Sequence, residues 1–292
     1  MTNSIHNLEL YKYPPTQHLQ GSQLQKGDTG AAKPNKRNDP RAPFSALAGC
    51  TIVVEEKLDG ANCGISFGPG AELLLQSRGH YLAGGGRERQ FGVLKRWSAV
   101  HESALLERLG DRYVMYGEWM GKKHSIFYNH LPHFFCEFDI YDRSGGVFLS
   151  TAARAALLGD APVLPVPVLY AGLAPRKMDD LLAMLKPSLA KTVHWKRDFE
   201  AVVRREGHDL ARSWGQADKS DLAEGLYIKV EEAGVCVARY KWVRSDFVQA
   251  ILDSQVHHSQ QPFVPNLLAP QADIYAPRLT ATWANLKEND HG

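Results

Sequence analysis

Cysteine is scarce and scattered: four residues in 292, at Cys50, Cys63, Cys136 and Cys236, with no C-x-x-C pair. Small secreted domains that depend on disulfides carry a dense cysteine framework, so these four are expected to be reduced thiols. No stretch approaches the roughly 18 consecutive apolar residues of a membrane span, and the polar N-terminus lacks the apolar centre of a signal peptide. A cytoplasmic protein with no membrane partner is expected. An excess of one charge is missing too. The formal net charge is +2, so any contact with nucleic acid must come from a local basic groove. The 44% hydrophobic and 23% charged residues are globular values, and the length allows one sizeable core with at most a small appendage.

Residues 21–43 are rich in Gly, Asn, Lys, Asp and Pro and read as an exposed loop. From Thr51 the pattern tightens: TIVVEE, CGISF and AELLLQSR read as strands around a Gly-Pro-Gly turn, and RYVMYGEW and HFFCEFDIYD read as two more. Between Arg87 and Leu109 the residues Phe91, Leu94, Trp97, Ala104, Leu105 and Leu109 recur at helical spacing. Helices are also predicted over about 176–185 and 198–214, and a short one near 246–252. GLYIKVEEAGVCVARYKWV reads as a hairpin turning at Glu231–Gly234. Strands at both ends with helices between predict an α+β fold rather than a doubly wound parallel one.

The stretch VVEEKLDGANCG ends an apolar run on Lys57. A lysine is a nucleophile only when deprotonated, and burial or nearby cations push its pKa toward that state. On KLDG alone, a strand-end lysine snorkelling to water is an equal reading. Further blocks follow in order: SRG at Ser77–Gly79, YGEW at Tyr116–Trp119, FFCEFDIYD at Phe134–Asp142, EGLYIKV at Glu224–Val230 and RYKWVR at Arg239–Arg244. This order resembles the covalent nucleotidyltransferase superfamily of DNA ligases, RNA ligases and mRNA capping enzymes, over about residues 50–247. Within it the chain is most similar to the phage-type RNA ligase 2 family, and the N-terminal YKYPPTQHLQGS resembles the openings of RNA-ligase-domain proteins.

The resemblance implies an ATP-grasp-like ligase adenylation domain, with antiparallel sheets flanked by helices. It also implies ATP and Mg2+ (or Mn2+) as cofactors, and nucleic acid as partner: RNA with 5′-phosphate and 3′-hydroxyl ends, with an end-processing protein as a further partner. Lys57 would be adenylated, and Lys229, Lys241 and Arg239 would line a phosphate pocket and depress the pKa of Lys57. Alternation along a strand places Arg239 on the face of Lys241. Glu118 and Glu224, with Asp59 counted beside them, would hold the metal. Phe135 would stack on adenine, although register decides which ring does so. Glu56 would meet the adenine edge, Arg78 the ribose or 5′-phosphate, and Asn62 the accepting end. The expected layout is an N-terminal segment belonging to the main domain (1–50), the adenylyltransferase domain (51–250) and a short extension (251–292).

Two departures stand out. Asp59 occupies a position where this family commonly has histidine and DNA ligases carry aspartate, which keeps a DNA nick ligase open as an alternative. Arg239 replaces a common lysine and retains only its charge. Fewer than 50 residues follow Arg244, so no complete OB-fold domain is expected. A nucleotide- or end-binding protein without ligation is a third reading, opposed by the retention of Lys57, Glu118, Glu224, Lys229 and Lys241. His130, His133 and Cys136 mimic metal-ligand spacing, but Pro132 opposes the helix that would gather them.

Overall fold

The computed structural model describes residues 9–24, 39–247 and 262–287. The β-branched run Thr51–Lys57 forms strand β2 and Ala61–Phe67 forms β3, with three residues between them. The two do not pair. β2 lies antiparallel between β9 (Val168–Leu173) and β10 (Gly225–Glu232), whereas β3 lies between β4 (Leu73–Ser77) and β5 (Tyr113–Trp119). Leu58, Asp59 and Gly60 therefore carry the chain from one half of the sheet to the other, which sets Lys57 at the seam.

β6 (Phe135–Asp142), β7 (Val147–Leu149) and β11 (Val235–Val243) complete the order β4-β3-β5-β6-β7-β11-β10-β2-β9. Along this path every pairing is antiparallel; β1 (Gln17–His18) joins β11 and β8 (Leu164–Pro165) joins β6 in parallel. Among the described residues the strand pairing passes from one half to the other through three-residue β7, and away from it Phe138 of β6 and Tyr227 and Lys241 of the β10–β11 hairpin line one cavity. A mixed α and β architecture with a large antiparallel sheet matches the expected class.

The pairing of β5 with β6 contains a bulge: Tyr116 faces Asp139 and the next residue, Gly117, faces Glu137, so Phe138 has no partner. A bulge adds one residue and breaks the two-residue alternation. Phe135 and Ile140, an odd number of residues apart, consequently enter the same hydrophobic cluster.

The helix expected over 87–109 is divided. A 3-10 turn (Gly86–Phe91) leads into α1 (Gly92–Val100), which is followed after His101 by α2 (Glu102–Leu109). Leu94, Trp97 and Leu105 are fully buried from these helices against β3, β5 and β6. α3 (Thr151–Leu158) was not foreseen, although Ser150 marks its start by accepting from Ala153 N. α4 covers only Met178–Leu182 of the helix expected over 176–185. The helix expected over 198–214 divides into α5 (Trp195–Arg205) and α6 (Leu210–Gly215). The break falls at Gly207, whose φ of 69° is left-handed. Residues 25–38 of the expected loop and the part of the expected helix beyond 247 lie outside the described residues. Residues 262–287 run back over the body, with Leu131 bridging Leu268 and Ile274 entering the α1–α2 cluster. Among the described residues no helix is long and apolar enough to cross a membrane.

Candidate active site

Lys57 ends β2 opposite Gly225 of β10. That register brings Glu224 alongside, and Lys57 Nζ donates to Glu224 Oε2 at 2.8 Å. Position 225 requires glycine: a Cβ would lie 2.0 Å from the Trp242 carbonyl oxygen. Beyond Lys57 the turn is held at each residue. Asp59 N donates to Tyr128 Oη (2.8 Å), and Asp59 Oδ2 accepts from Ser125 N and Ile126 N, each at 2.7 Å. Gly60 N donates to Glu118 Oε1 at 3.0 Å. The loop after β5 thus grips the turn that follows Lys57.

Above this turn opens a cavity of about 230 Å³. Of the residues expected in a site, Lys57, Glu56, Asn62, Arg78, Glu118 and Lys241 line it. Glu224 reaches it through Lys57. Glu56 Oε1 accepts from Ser188 Oγ (2.5 Å) and Oε2 from Leu189 N (3.1 Å). Burial raises the carboxyls of Glu56, Glu118 and Glu224 to about 7, against the opposing pull of their hydrogen bonds and, for the last two, of Lys57. Burial alone would lower the Lys57 ammonium, but Glu224, Glu118 and Asp59 outweigh it and hold its pKa above the ordinary value. This corrects the expectation of a depressed Lys57: its close neighbours are carboxylates, not cations.

Phe135 is also corrected. It is fully buried, packed over Gly117 and stacked on Trp97 at 5.2 Å, on the far side of β6 from the cavity. Phe138, the bulged residue, lines the cavity instead, with Val166 and Tyr227.

Lys229 and Arg239 do not line the cavity. They pair across the β10–β11 hairpin, one step deeper along the face on which Tyr227 pairs with Lys241. There Lys229, fully buried, meets Glu55 at 3.0 Å and Asp139 at 3.2 Å. Arg239 lies 3.4 Å from Asp139 with its guanidinium 3.6 Å from the centre of the Phe148 ring. Arg154 completes the network, 2.9 Å from Glu55 and 2.7 Å from Glu137. Three cations balance three carboxylates, one of which, Glu55, also lines the cavity. Burial pushes Asp139 up, but Lys229, Arg154 and Arg239 outweigh it and hold its carboxyl below the ordinary range.

The sequence reading missed one wall, formed by Tyr13, Pro14, Pro15 and Thr16. Tyr13 Oη donates to Asp139 Oδ2 at 2.5 Å, and Thr16 Oγ1 lies 2.8 Å from Tyr227 Oη. No local spacing connects Tyr13 to Asp139 across 126 residues. Tyr227 was more accessible, because it alternates onto the face of Lys229.

Among the described residues no group of three or more His, Cys, Asp or Glu side chains forms an ion cage. His133, of the decoy triplet, is buried and takes Phe135 N on Nδ1 at 2.9 Å; burial lowers its pKa to about 4. Glu118 lines the cavity, and Glu224 stands beside it on Lys57 Nζ. A divalent cation bound mainly by phosphate oxygens and water needs no more than that from protein.

A search of curated proteins finds no match. Among solved structures, the chain is similar to Naegleria gruberi RNA ligase with pyrophosphate: 18% identity, TM-score 0.49, covering 82% of this chain and 62% of that one. A lysine-to-alanine mutant of the same ligase with ATP and Mn aligns at 18% identity and TM-score 0.46, covering 72% and 54%. A lysine-to-methionine mutant with AMP and Mn gives 17%, 0.47, and the same coverage. The chain spans little more than half the length of these ligases. The sequence pattern of the family described as RNA ligase matches residues 51–243, from the start of β2 to the end of β11, and the chain belongs to the RNA ligase family.

Proposed function

We propose that this chain is an ATP-dependent RNA ligase of the phage-type RNA ligase 2 kind, with residues 51–250 as its adenylyltransferase domain and Lys57 as the residue that becomes bonded to AMP. The observation that carries this is the placement of Lys57 Nζ on the wall of a 230 Å³ cavity, paired at 2.8 Å with Glu224. In the first step Lys57 Nζ gives a proton to Glu224 and attacks the α-phosphorus of ATP. An N–P bond forms, the bond to pyrophosphate breaks, and the second proton of the nitrogen passes to water. A 5′-phosphate oxygen of RNA then attacks the same phosphorus, so that the N–P bond breaks, an anhydride forms and the lysine regains a proton. Finally a 3′-hydroxyl oxygen attacks the 5′-phosphorus, its proton passes to water, AMP leaves and a phosphodiester forms.

Lys241 and Arg78 supply positive charge for the phosphates, and Phe138 with Val166 offers apolar surface to the adenine. Glu56 faces the same space and would accept from the adenine amino group. Asn62 is placed to meet the accepting end. Lys229 and Arg239 serve from below, by holding Glu55 and Asp139 in place. Glu118 and Glu224 would hold a magnesium or manganese ion, whose charge would offset the cost of burying their carboxylates. When bound, the ion neutralises charge on the triphosphate. Asp59 Oδ2 accepts from two backbone amides, which gives it a role in shaping the turn after Lys57; DNA nicks therefore stay in the test below as the alternative substrate.

Incubation with α-labelled ATP and magnesium tests the reading. Label should become acid-stably bound to wild-type protein and absent from Lys57→Ala. Ligation of 5′-phosphorylated RNA and DNA nicks and single strands then assigns the substrate. A wild-type chain that takes no label rejects the proposal.

A further inference from the structure

The C-terminal extension brings Asn266 against the loop that grips the nucleophile turn. Asn266 is 2% exposed. Its Oδ1 accepts from Tyr128 N at 3.0 Å, and its Nδ2 donates to the Met120 carbonyl at 2.7 Å. Met120 follows Glu118 by two residues at the end of β5. Tyr128 is the residue whose hydroxyl receives Asp59 N, and Ser125 and Ile126, just before it, supply the two amides on Asp59 Oδ2. One buried amide therefore ties the strand end bearing Glu118 to the group that fixes the turn after Lys57.

Backbone bonds seat the extension beside it. Lys123 N donates to Val264 O (2.8 Å), Leu267 N to Tyr128 O (2.9 Å) and Leu131 N to Leu267 O (3.0 Å). These hold the loop but reach neither Met120 nor the Tyr128 amide. An amide suits the site because one arm must accept from an N–H while the other donates to a carbonyl. A carboxylate has two acceptors and would face the Met120 oxygen, and an aliphatic side chain would leave both backbone groups without partners.

We propose that Asn266 is a positioning residue for Lys57, which makes the C-terminal extension part of the adenylylation machinery. The inference rests on the reading of Lys57 as nucleophile. Without the Asn266 clasp the loop from Gly121 to Tyr128 shifts, and the Asp59–Gly60 turn carries Lys57 out of line with the α-phosphorus. Misplacement of about 1 Å costs on the order of 100-fold in rate.

The test is single-turnover adenylylation of the full chain with labelled ATP and magnesium, expressed per folded molecule by near-ultraviolet circular dichroism. Asn266→Asp should be slower by roughly 10- to 100-fold near neutral pH, with the ATP concentration for half-maximal rate little changed. Relative to wild type it should recover as pH falls toward about 6, because a protonated carboxyl can both accept from Tyr128 N and donate to Met120 O. Tyr128→Phe, which cuts the link to Asp59 and leaves the clasp intact, should be slow at every pH. Leu181→Ala, in a buried core cluster away from this loop and from the extension, destabilises the fold and should keep the wild-type rate on its folded fraction. A loss in Asn266→Asp that only follows its unfolded fraction, or that shows no recovery at low pH, overturns the proposal. If that variant does not fold, Tyr128→Phe decides, and a wild-type rate there overturns it. A wild type that takes no label removes the Lys57 reading and this proposal together; a labelled wild type beside unaffected variants removes this one alone.

Discussion

Lys57 and Glu224, 167 residues apart in sequence, meet at 2.8 Å because β2 and β10 pair with Lys57 opposite Gly225. The pair is partly shielded, with the lysine side chain 23% exposed and the glutamate 6%. On the proposed reading of Lys57 as nucleophile, the pair sets the amine's proton next to a group that can take it. Lys57→Ala should abolish label transfer from ATP entirely. Folding should survive the change, because the neighbouring Glu224 carboxyl is already raised to about 7 and can take up a proton when its partner is gone. Labelling and thermal denaturation on the same preparation check both halves.

Stability should fall as pH rises from about 4.5 to about 7. Glu56, Glu118 and Glu224 have folded pKa values near 7 against an ordinary 4.5, so the native state binds more protons than the unfolded chain in that window. Glu118→Gln keeps an acceptor for Gly60 N and removes one titrating group. It should be more stable than wild type at pH 8, by on the order of 1–3 kcal/mol, and gain nothing at pH 4. Urea denaturation at the two pH values reads the difference; an equal gain at both would contradict the assignment.

Phe138→Ala and Phe135→Ala should separate binding from folding. Phe138 lines the cavity and its loss should raise the ATP concentration needed for half-maximal labelling about tenfold, with little change in melting temperature. Phe135 is fully buried against Trp97, so its truncation should cost roughly 3–5 kcal/mol of stability. The reverse pattern would restore Phe135 as the adenine neighbour.

Arg154→Met removes one cation from the buried network and leaves Glu55 and Glu137 with a charge imbalance. Breaking a buried ion pair by removing one partner costs roughly 3–5 kcal/mol. Because Glu55 lines the cavity and also pairs with Lys229, labelling should weaken beyond the loss of folded protein. Denaturation and labelling per folded molecule are the two measurements.

Much of this was written in short-range chemistry. The β-branched run ending at Lys57, the glycine three residues later and the glutamates beside Gly117 and Gly225 are local patterns, and strands, turns and close backbone approaches follow from them. The strand at 51–57 and the hairpin at 225–243 emerge where alternation and turn residues put them. Helix division was less legible, since the break at His101 depends on the packing of Trp97 and Leu105 into the sheet.

The amino-acid sequence by itself determined that a lysine ends a buried strand at a tight turn, with two glutamates and a cationic hairpin to accompany it, because those features depend on neighbours a few residues away. Long-range packing set which aromatic ring faces the cavity, sealed Lys229 and Arg239 among carboxylates, surrounded Lys57 with acids, brought Tyr13 to the cavity wall and seated Asn266 against the loop that holds the Asp59 turn. The physical reason is that a bulge reverses side-chain facing without any mark in composition, and that the charge a buried group feels comes from residues more than a hundred positions away.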